Sequence, residues 1–357
     1  MKHTIGLIGC GHIAKKHLKT ISQLDEVELR AVSDIDSGKM NEAMEEYEKL
    51  TREKAVIRLY NNYYDLLRDN EIEIVVIATI SSLHAEMAIQ ALLHDKHVMI
   101  EKPLALSLSD AYQILEVAEA KGKRILVCHQ LRYRPVMQKL KALLEEGALG
   151  KLHFGVATMR IHRPKHYYTG SSWKGTWESD GGMLLNQGIH LIDLLIWFMG
   201  DVESVYGNIA NTLEVKDTED IAAGLLTFQN KAKGVIEANS ITQPNNLGYY
   251  LSIFGEEGTI SLGGPSFNRF ERCYFPNTIN TKELTPLLED YNEHVYMYEN
   301  FIRALHDKAE HLIMGEEAAI LSLMTIFGMY KSSLLKKELT LPLTDFSTHE
   351  MIRKGGM

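Results

Sequence analysis

A chain of 357 residues is too long for one small core and comfortable for two domains, and 45% hydrophobic with 24% charged residues is a globular composition. Its formal net charge of -9 gives nucleic acid or an anionic membrane no electrostatic reason to bind, so neither is expected as a partner. Three scattered cysteines, Cys10, Cys128 and Cys273, show no Cys-x-x-Cys spacing, which argues against a disulfide framework or zinc site and favours a reducing compartment. The chain opens on a strand-like segment instead of a signal peptide. The longest apolar stretch, near 191–199, is broken by Asp193 and too short for a bilayer, so a cytoplasmic protein without a membrane partner is expected.

Residues 4–8 predict a strand that runs into the turn Gly9-Cys10-Gly11-His12-Ile13-Ala14, after which Ala14, Leu18 and Ile21 fall at helical spacing. A second strand, 27–32, ends at Ser33-Asp34. This order predicts a dinucleotide site. Gly9 permits the tight turn, Gly11 with His12 and Ile13 brings backbone amides to a pyrophosphate at the positive helix end, and Ala14 lets the helix pack close on the sheet. Asp34 lies at about the distance, roughly 20 residues on, of the carboxylate that bonds an adenosine ribose, and it would repel a 2′-phosphate; NAD is favoured over NADP.

The alternation continues with a helix near 39–48, a short helix at 63–67 and the apolar run 72–78, which fits a central parallel strand. Thr79 and His84 follow its carboxyl end, where ligands gather; Thr79 is placed to meet the cofactor, and His84 either joins it or caps its helix. Strand 97–100 then delivers Glu101-Lys102-Pro103 to the same side, with Lys102 a candidate for chemistry and Glu101 beside the cofactor. A helix over 109–120, capped by Ser109 or Asp110, and strand 124–128 complete a Rossmann domain over 1–128, with Gln130 next to the cofactor.

Near residue 150 the pattern changes to strand-like runs at 151–159, 205–211, 221–228, 232–241, 249–254 and 259–262, with turns at 229–231 and 255–258. Strands in series with short turns predict an open, mostly antiparallel sheet in an α+β domain over 129–340, and the fold class is α/β. Helices at 291–307 and 316–336, free to pack back on the first domain, precede a tail at 341–357.

Between the two sheets lie Trp173-Lys174-Gly175-Thr176-Trp177 and Gly181-Gly182-Met183-Leu184-Leu185-Asn186-Gln187-Gly188-Ile189-His190. Asn186 and His190 are four apart, so on an α-helix both face one way, and the imidazole is suited to take a proton near neutral pH. Asp193 either orients His190 or caps a turn. His162, His166, Glu178, Asp180 and His190 form a loose polar group without the tight spacing of a zinc helix, so no metal is expected. Cys10 is a small packing residue.

The glycine turn, Glu101-Lys102-Pro103, and Gly181-Gly182 followed by Asn186 and His190 resemble, in order, the Gfo/Idh/MocA family. The resemblance implies hydride transfer between a sugar or cyclitol carbon and nicotinamide. Gln130-Leu131-Arg132-Tyr133, Arg163-Pro164-Lys165-His166-Tyr167-Tyr168 and the tryptophan motif look most like the branch that oxidises the 3-hydroxyl of UDP-N-acetylglucosamine or its uronate. Many members carry Asp where this chain has Asn186, which points to sugar positioning; Lys174 stands where arginine is common, so no phosphate role is assigned to it. On this resemblance His190 is the base and Lys102 bonds the hydroxyl oxygen, or the two exchange roles, with Asn186 fixing the sugar. Arg163, Tyr167 and Tyr168 are candidates for holding the substrate, and Arg132 or Arg160 for a uronate carboxylate. A homodimer or homotetramer is expected from the resemblance and from one uncovered sheet face.

Overall fold

The computed structural model describes residues 2–52, 54, 56–276, 281–307 and 309–354. Two compact units result. The first comprises residues up to Ala105, Ser109–Gln130 and Asn292–Glu316; the second comprises Leu106–Leu108, Leu131–Tyr291 and the chain from Glu317. A single cut at 128 is therefore not the boundary, because the distant helix Glu293–His306 belongs to the first unit. Nor is 341–354 a separate tail. Phe346 is fully buried, its carbonyl accepts the Leu108 N–H, and Leu106 and Thr348 are bonded likewise.

In the first unit β1 (His3–Ile8), α1 (Ala14–Ile21), β2 (Val27–Ser33), α2 (Ser37–Thr51), β3 (Arg58–Tyr60), α3 (Tyr63–Leu67), β4 (Ile74–Ile77), α4 (His84–Leu93), β5 (His97–Ile100), α5 (Leu108–Lys121) and β6 (Ile125–Val127) alternate. The six strands form a parallel sheet in the order β3-β2-β1-β4-β5-β6. All four residues of β4 are buried, as expected for a strand covered on both faces. Ala14, Leu18 and Ile21 give α1 its buried stripe. The edge strand β3 has no counterpart among the strands expected from sequence: its three residues carry no apolar run, and pairing with β2 alone defines it. α5 starts at Leu108, so Ser109 and Asp110 sit in its first turn and not at its cap; the bond from Leu108 N–H to Phe346 sets the start.

The second unit contains α6 (Pro135–Glu145), β7 (Leu152–Arg160), α7 (Lys165–Thr169), α8 (Ile189–Met199), β8 (Val202–Ala210), β9 (Ile221–Phe228), β10 (Lys233–Asn239), β11 (Gly248–Gly255), β12 (Thr259–Gly263), β13 (Arg269–Tyr274) and β14 (Leu339–Thr340). Strand order is β13-β12-β11-β7-β10-β9-β8-β14, antiparallel throughout except for β7 beside β10. Buried residues alternate along β9 and β10, so one face is packed. α8 lies against Gly155 of β7 through Leu195 and Met199, and the helix Glu316–Leu335 lies against Gly207 and Gly224 through Met329. Over Glu317–Leu335 that helix is long and apolar enough to cross a membrane, a longer apolar stretch than 191–199, and 67% of it is buried here. The opposite sheet face exposes Phe154, Tyr206, Leu225 and Phe254.

Candidate active site

In the first sheet the strand order reverses between β1 and β4, and ligands bind beyond the carboxyl ends at such a point. Gly9 has φ +93°, and a Cβ there would lie 2.5 Å from the Ala78 carbonyl oxygen after β4, so conformation and space both demand glycine. At Gly11 a Cβ would meet nothing within 4 Å, which leaves open space at the amino end of α1 where a pyrophosphate fits. His12 is exposed and Ile13 half-buried. Asp34 receives the Cys10 N–H at 2.8 Å and the Asp36 N–H at 3.0 Å, so the acid after β2 is tied to the glycine turn. Its neighbour Ile35 is 96% exposed, an apolar surface beside that acid. Burial and then the Asp34 charge push the Cys10 thiol up to about 12, which rules against a thiolate nucleophile. These residues fit a bound NAD.

Glu101 is turned inward and is 7% exposed, away from the open cofactor position expected for it. Burial would raise its pKa, but the bond from His17 and the neighbouring charges, that of Lys102 among them, prevail and hold the carboxyl below its ordinary value. His17 of α1 therefore donates Nε2–H to Glu101 Oε1 at 3.1 Å, and its Nδ1 accepts the Tyr298 hydroxyl at 2.8 Å. His84 is fully enclosed; burial lowers its pKa, and the neutral ring donates Nδ1–H to the Pro103 carbonyl at 2.7 Å, with Nε2 3.3 Å from the Thr79 carbonyl. It makes no helix cap: α4 follows Leu83 without a side-chain cap bond. Its ring joins the ends of β4 and β5 instead of facing the cofactor. Lys102 is half-buried between these anchors, as are Thr79 and, after β6, Gln130.

The α-helical spacing expected for Asn186 and His190 is not the one adopted. Leu184–Gly188 forms a π turn that leads into α8, and its wider winding takes the pair out of the α period; such turns recur at functional sites. Asn186 Nδ2 donates to Asp180 Oδ1, and Asp180 Oδ2 accepts the Gly175 N–H at 2.8 Å. An aspartate at 186 would set two carboxylates face to face, so Asp180 explains the amide. Beneath the turn, Glu219 Oε1 accepts the Leu184 N–H at 2.8 Å and the Tyr330 hydroxyl at 2.7 Å. Burial raises the Glu219 carboxyl to about 7 against these bonds. Gly182, at φ +107°, has no room for a side chain: a Cβ would lie 2.5 Å from Glu219 Oε2.

Tyr167 is half-buried, and Gln187 Nε2 donates to its hydroxyl at 3.2 Å. Lys174 Nζ lies 4.2 Å and the Arg163 guanidinium 5.3 Å from its ring centroid, and neither cation has an ion pair among the described residues. Lys174, given no role from sequence, thus joins the candidates. Tyr168 leaves them as a direct contact: it is 4% exposed, packed against Gly175 and under Lys216 Nζ. Arg132 and Arg160 already hold protein carboxylates, Arg132 gripping Asp193 with two bonds of 2.7 Å and Arg160 gripping Glu237. Asp193, which also accepts the Ser322 hydroxyl at 2.6 Å, is thereby the ion-pair partner of Arg132. His17 and Glu219 join the candidates from the structure, and Asp180, which the sequence placed only in a loose polar group, joins as the partner of Asn186; a histidine on the buried stripe of α1 is the one local signal for His17.

The first unit has the glycine turn, the open space at the amino end of α1 and the acid after β2 that were expected from sequence for a dinucleotide site. Residues 3–129 match the model described as an oxidoreductase family with NAD-binding Rossmann fold, and residues 137–261 match that of the GFO/IDH/MocA C-terminal domain. The chain belongs to the Gfo/Idh/MocA family. It is similar to the WlbA dehydrogenase from Bordetella pertussis, solved in complex with NADH and UDP-GlcNAcA: 30% identity, 96% of this chain and 100% of that one, TM-score 0.85. The Chromobacterium violaceum WlbA dehydrogenase, with the same ligands, shows 29% identity over 96% of each chain and a TM-score of 0.88. Myo-inositol 2-dehydrogenase of Thermotoga maritima is 30% identical over 262 residues, 72% of this chain and 74% of that protein.

Proposed function

We propose that the protein oxidises a sugar secondary hydroxyl, C3 of UDP-N-acetylglucosamine or of its uronate. The observation that carries the choice of an anionic sugar is the pair of cations, Arg163 and Lys174, gathered on one ring without an ion-pair partner among the described residues. A diphosphate or carboxylate would satisfy them, and a free polyol would not. The likeness to dehydrogenases bound to UDP-GlcNAcA supports the same reading.

Bound NAD would supply the hydride acceptor. Amides at Gly11 would hold its pyrophosphate and Asp34 its adenosine ribose. His190 takes the proton from the hydroxyl oxygen while Lys102 Nζ bonds that oxygen, or Lys102 takes it and His190 orients; Asn186, steadied by Asp180, holds the sugar. A second reading, a free-sugar or inositol dehydrogenase, is favoured by the Thermotoga relative. A third, a non-catalytic NAD-binding sensor, would have no need of both Lys102 and His190. The open sheet face with Phe154, Tyr206, Leu225 and Phe254 supports a homodimer or homotetramer, to be read from light-scattering mass. We also place the protein in the cytoplasm.

The test is nicotinamide absorbance after mixing protein and NAD with UDP-N-acetylglucosamine, its uronate, myo-inositol and glucose, with 2-oxoglutarate added to reoxidise the cofactor. Reduction with a UDP sugar alone is expected. Turnover of inositol or glucose alone would move the substrate class to the second reading, and silence across the panel would leave both dehydrogenase readings unsupported.

A further inference from the structure

We propose that His17 and Tyr298 are positioning residues for Lys102, acting through the Glu101 carboxylate. This rests on Lys102 serving the oxidation proposed above. The helix that follows the glycine turn buries an imidazole completely, on a side whose other buried residues are Ala14, Leu18, Thr20 and Ile21. Burying a polar ring beside a carboxylate is costly unless each atom is bonded, and here each step is: Tyr298 hydroxyl to His17 Nδ1 at 2.8 Å, His17 Nε2–H to Glu101 Oε1 at 3.1 Å, and the Lys102 backbone N–H to Glu101 Oε2 at 3.3 Å. On the other side His84 holds the Pro103 carbonyl at 2.7 Å. The peptide before Lys102 and the carbonyl of the proline after it are thus held, through Glu101 and directly, by buried histidines from two helices, which restricts the backbone that carries the ammonium.

The groups around Glu101 come from every element packed on it. α1 supplies His17, the helix Glu293–His306 supplies Tyr298 and His294, α4 supplies His84, the end of β6 supplies Cys128, and β5 itself ends in Lys102. Burial and then the His17 charge press His294 down to about 4, with Lys16 adding to it, and burial with the Glu101 charge pushes the Cys128 thiol well up. Near neutral pH His294 and Cys128 are uncharged, which leaves the Nε2–H of His17 and the Lys102 side chain to face the carboxylate. Donor atoms of His17, Glu101 and Cys128 lie within 4.8 Å of one another, close enough for an ion, but both His17 nitrogens are already committed.

The experiment compares wild type with Tyr298→Phe and His17→Gln in three measurements: NADH binding, turnover of the best sugar against pH, and the pH dependence of Lys102 labelling by an amine-reactive reagent, read by peptide mass spectrometry. Both variants are expected to bind NADH within about 3-fold of wild type while kcat falls about 10-fold or more with KM little changed. The labelling midpoint is expected to move to lower pH, since a carboxylate without its donor does less to keep the neighbouring ammonium charged. Unchanged labelling in both variants overturns the proposal, whether or not turnover falls. One equivalent of zinc in the wild type, lost in His17→Gln, also overturns it in favour of a metal centre. If the wild type turns over no sugar, the proposed function fails, and the labelling still decides this inference.

Discussion

The two units bury different ionisable groups around their candidate residues. The first encloses the histidines His17 and His84, whose rings bond to a carboxylate, a hydroxyl or backbone carbonyls, with His294 half-buried. The second encloses carboxyl groups, Asp180, Asp193 and Glu219, matched to Asn186, Arg132, Ser322 and Tyr330. A unit that must receive an anionic dinucleotide gains from neutral rings near its strand ends, where further carboxylates would repel the phosphates. A unit that must hold an amide and an imidazole on one turn gains from acceptors that fix N–H groups from below. The difference teaches that one chain anchors two kinds of side chain with opposite responses to pH.

The largest test of this division removes the side chains proposed to do the chemistry. Lys102→Ala and His190→Ala are each expected to lower turnover about 1,000-fold, with NADH binding kept in both; near-normal turnover in either would strike that unit's residue from the mechanism. Next is stability against pH. Glu219 keeps its proton up to about pH 7 when folded and to its ordinary 4.5 when unfolded, so the folded state binds more protons in that window and stability falls as pH rises, by up to about 3 kcal/mol. Glu219→Gln should remove that fall in denaturant midpoints taken from pH 4.5 to 7. His97 and His294 act in the other direction. Burial holds both near 4 against an ordinary 6.5, so stability they contribute above pH 6.5 is lost as pH falls towards 4, and His294→Phe should flatten that acid limb.

Smaller effects sharpen the contrast within each unit. Gly9→Ala should cost about 2 kcal/mol or more through its positive φ and the Ala78 carbonyl, whereas Gly11→Ala should melt like wild type and weaken NADH binding about 10-fold, as fluorescence titration would show. Asn186→Asp should lower turnover about 10-fold at pH 8 and less at pH 6, where one of the facing carboxyls regains its proton. A loss equal at both pH values would remove Asp180 from the account of Asn186.

Local order made much of the fold legible. The strand, glycine turn and stripe of Ala14, Leu18 and Ile21 lie within one short stretch, and their spacing states both the helix and its buried side. The same holds for the serial strands of the second sheet, where the hairpin turns at Gln229-Asn230-Lys231 and Gly255-Glu256-Glu257-Gly258 fall between the strands expected on either side. Strand β14 is different because two residues carry no period, and only pairing with β8 defines it.

By itself the sequence determined the two-part architecture, the dinucleotide turn and the placement of Lys102 at a strand end, all of which arise from periodicity and glycine chemistry over a few neighbouring residues. Tertiary structure alone decided where charged side chains find their partners. Glu101 turns inward because His17 awaits it 84 residues away, His17 is completed by Tyr298 281 residues on, and Arg132 and Arg160 are claimed by Asp193 and Glu237. Asn186 is no exception: although Asp180 is only six residues away, their bond needs the turn between Gly181 and the π segment, which rests on distant Glu219 and Tyr330. Such pairings carry no local period, since they are set by which surfaces the folded backbone brings within hydrogen-bonding distance.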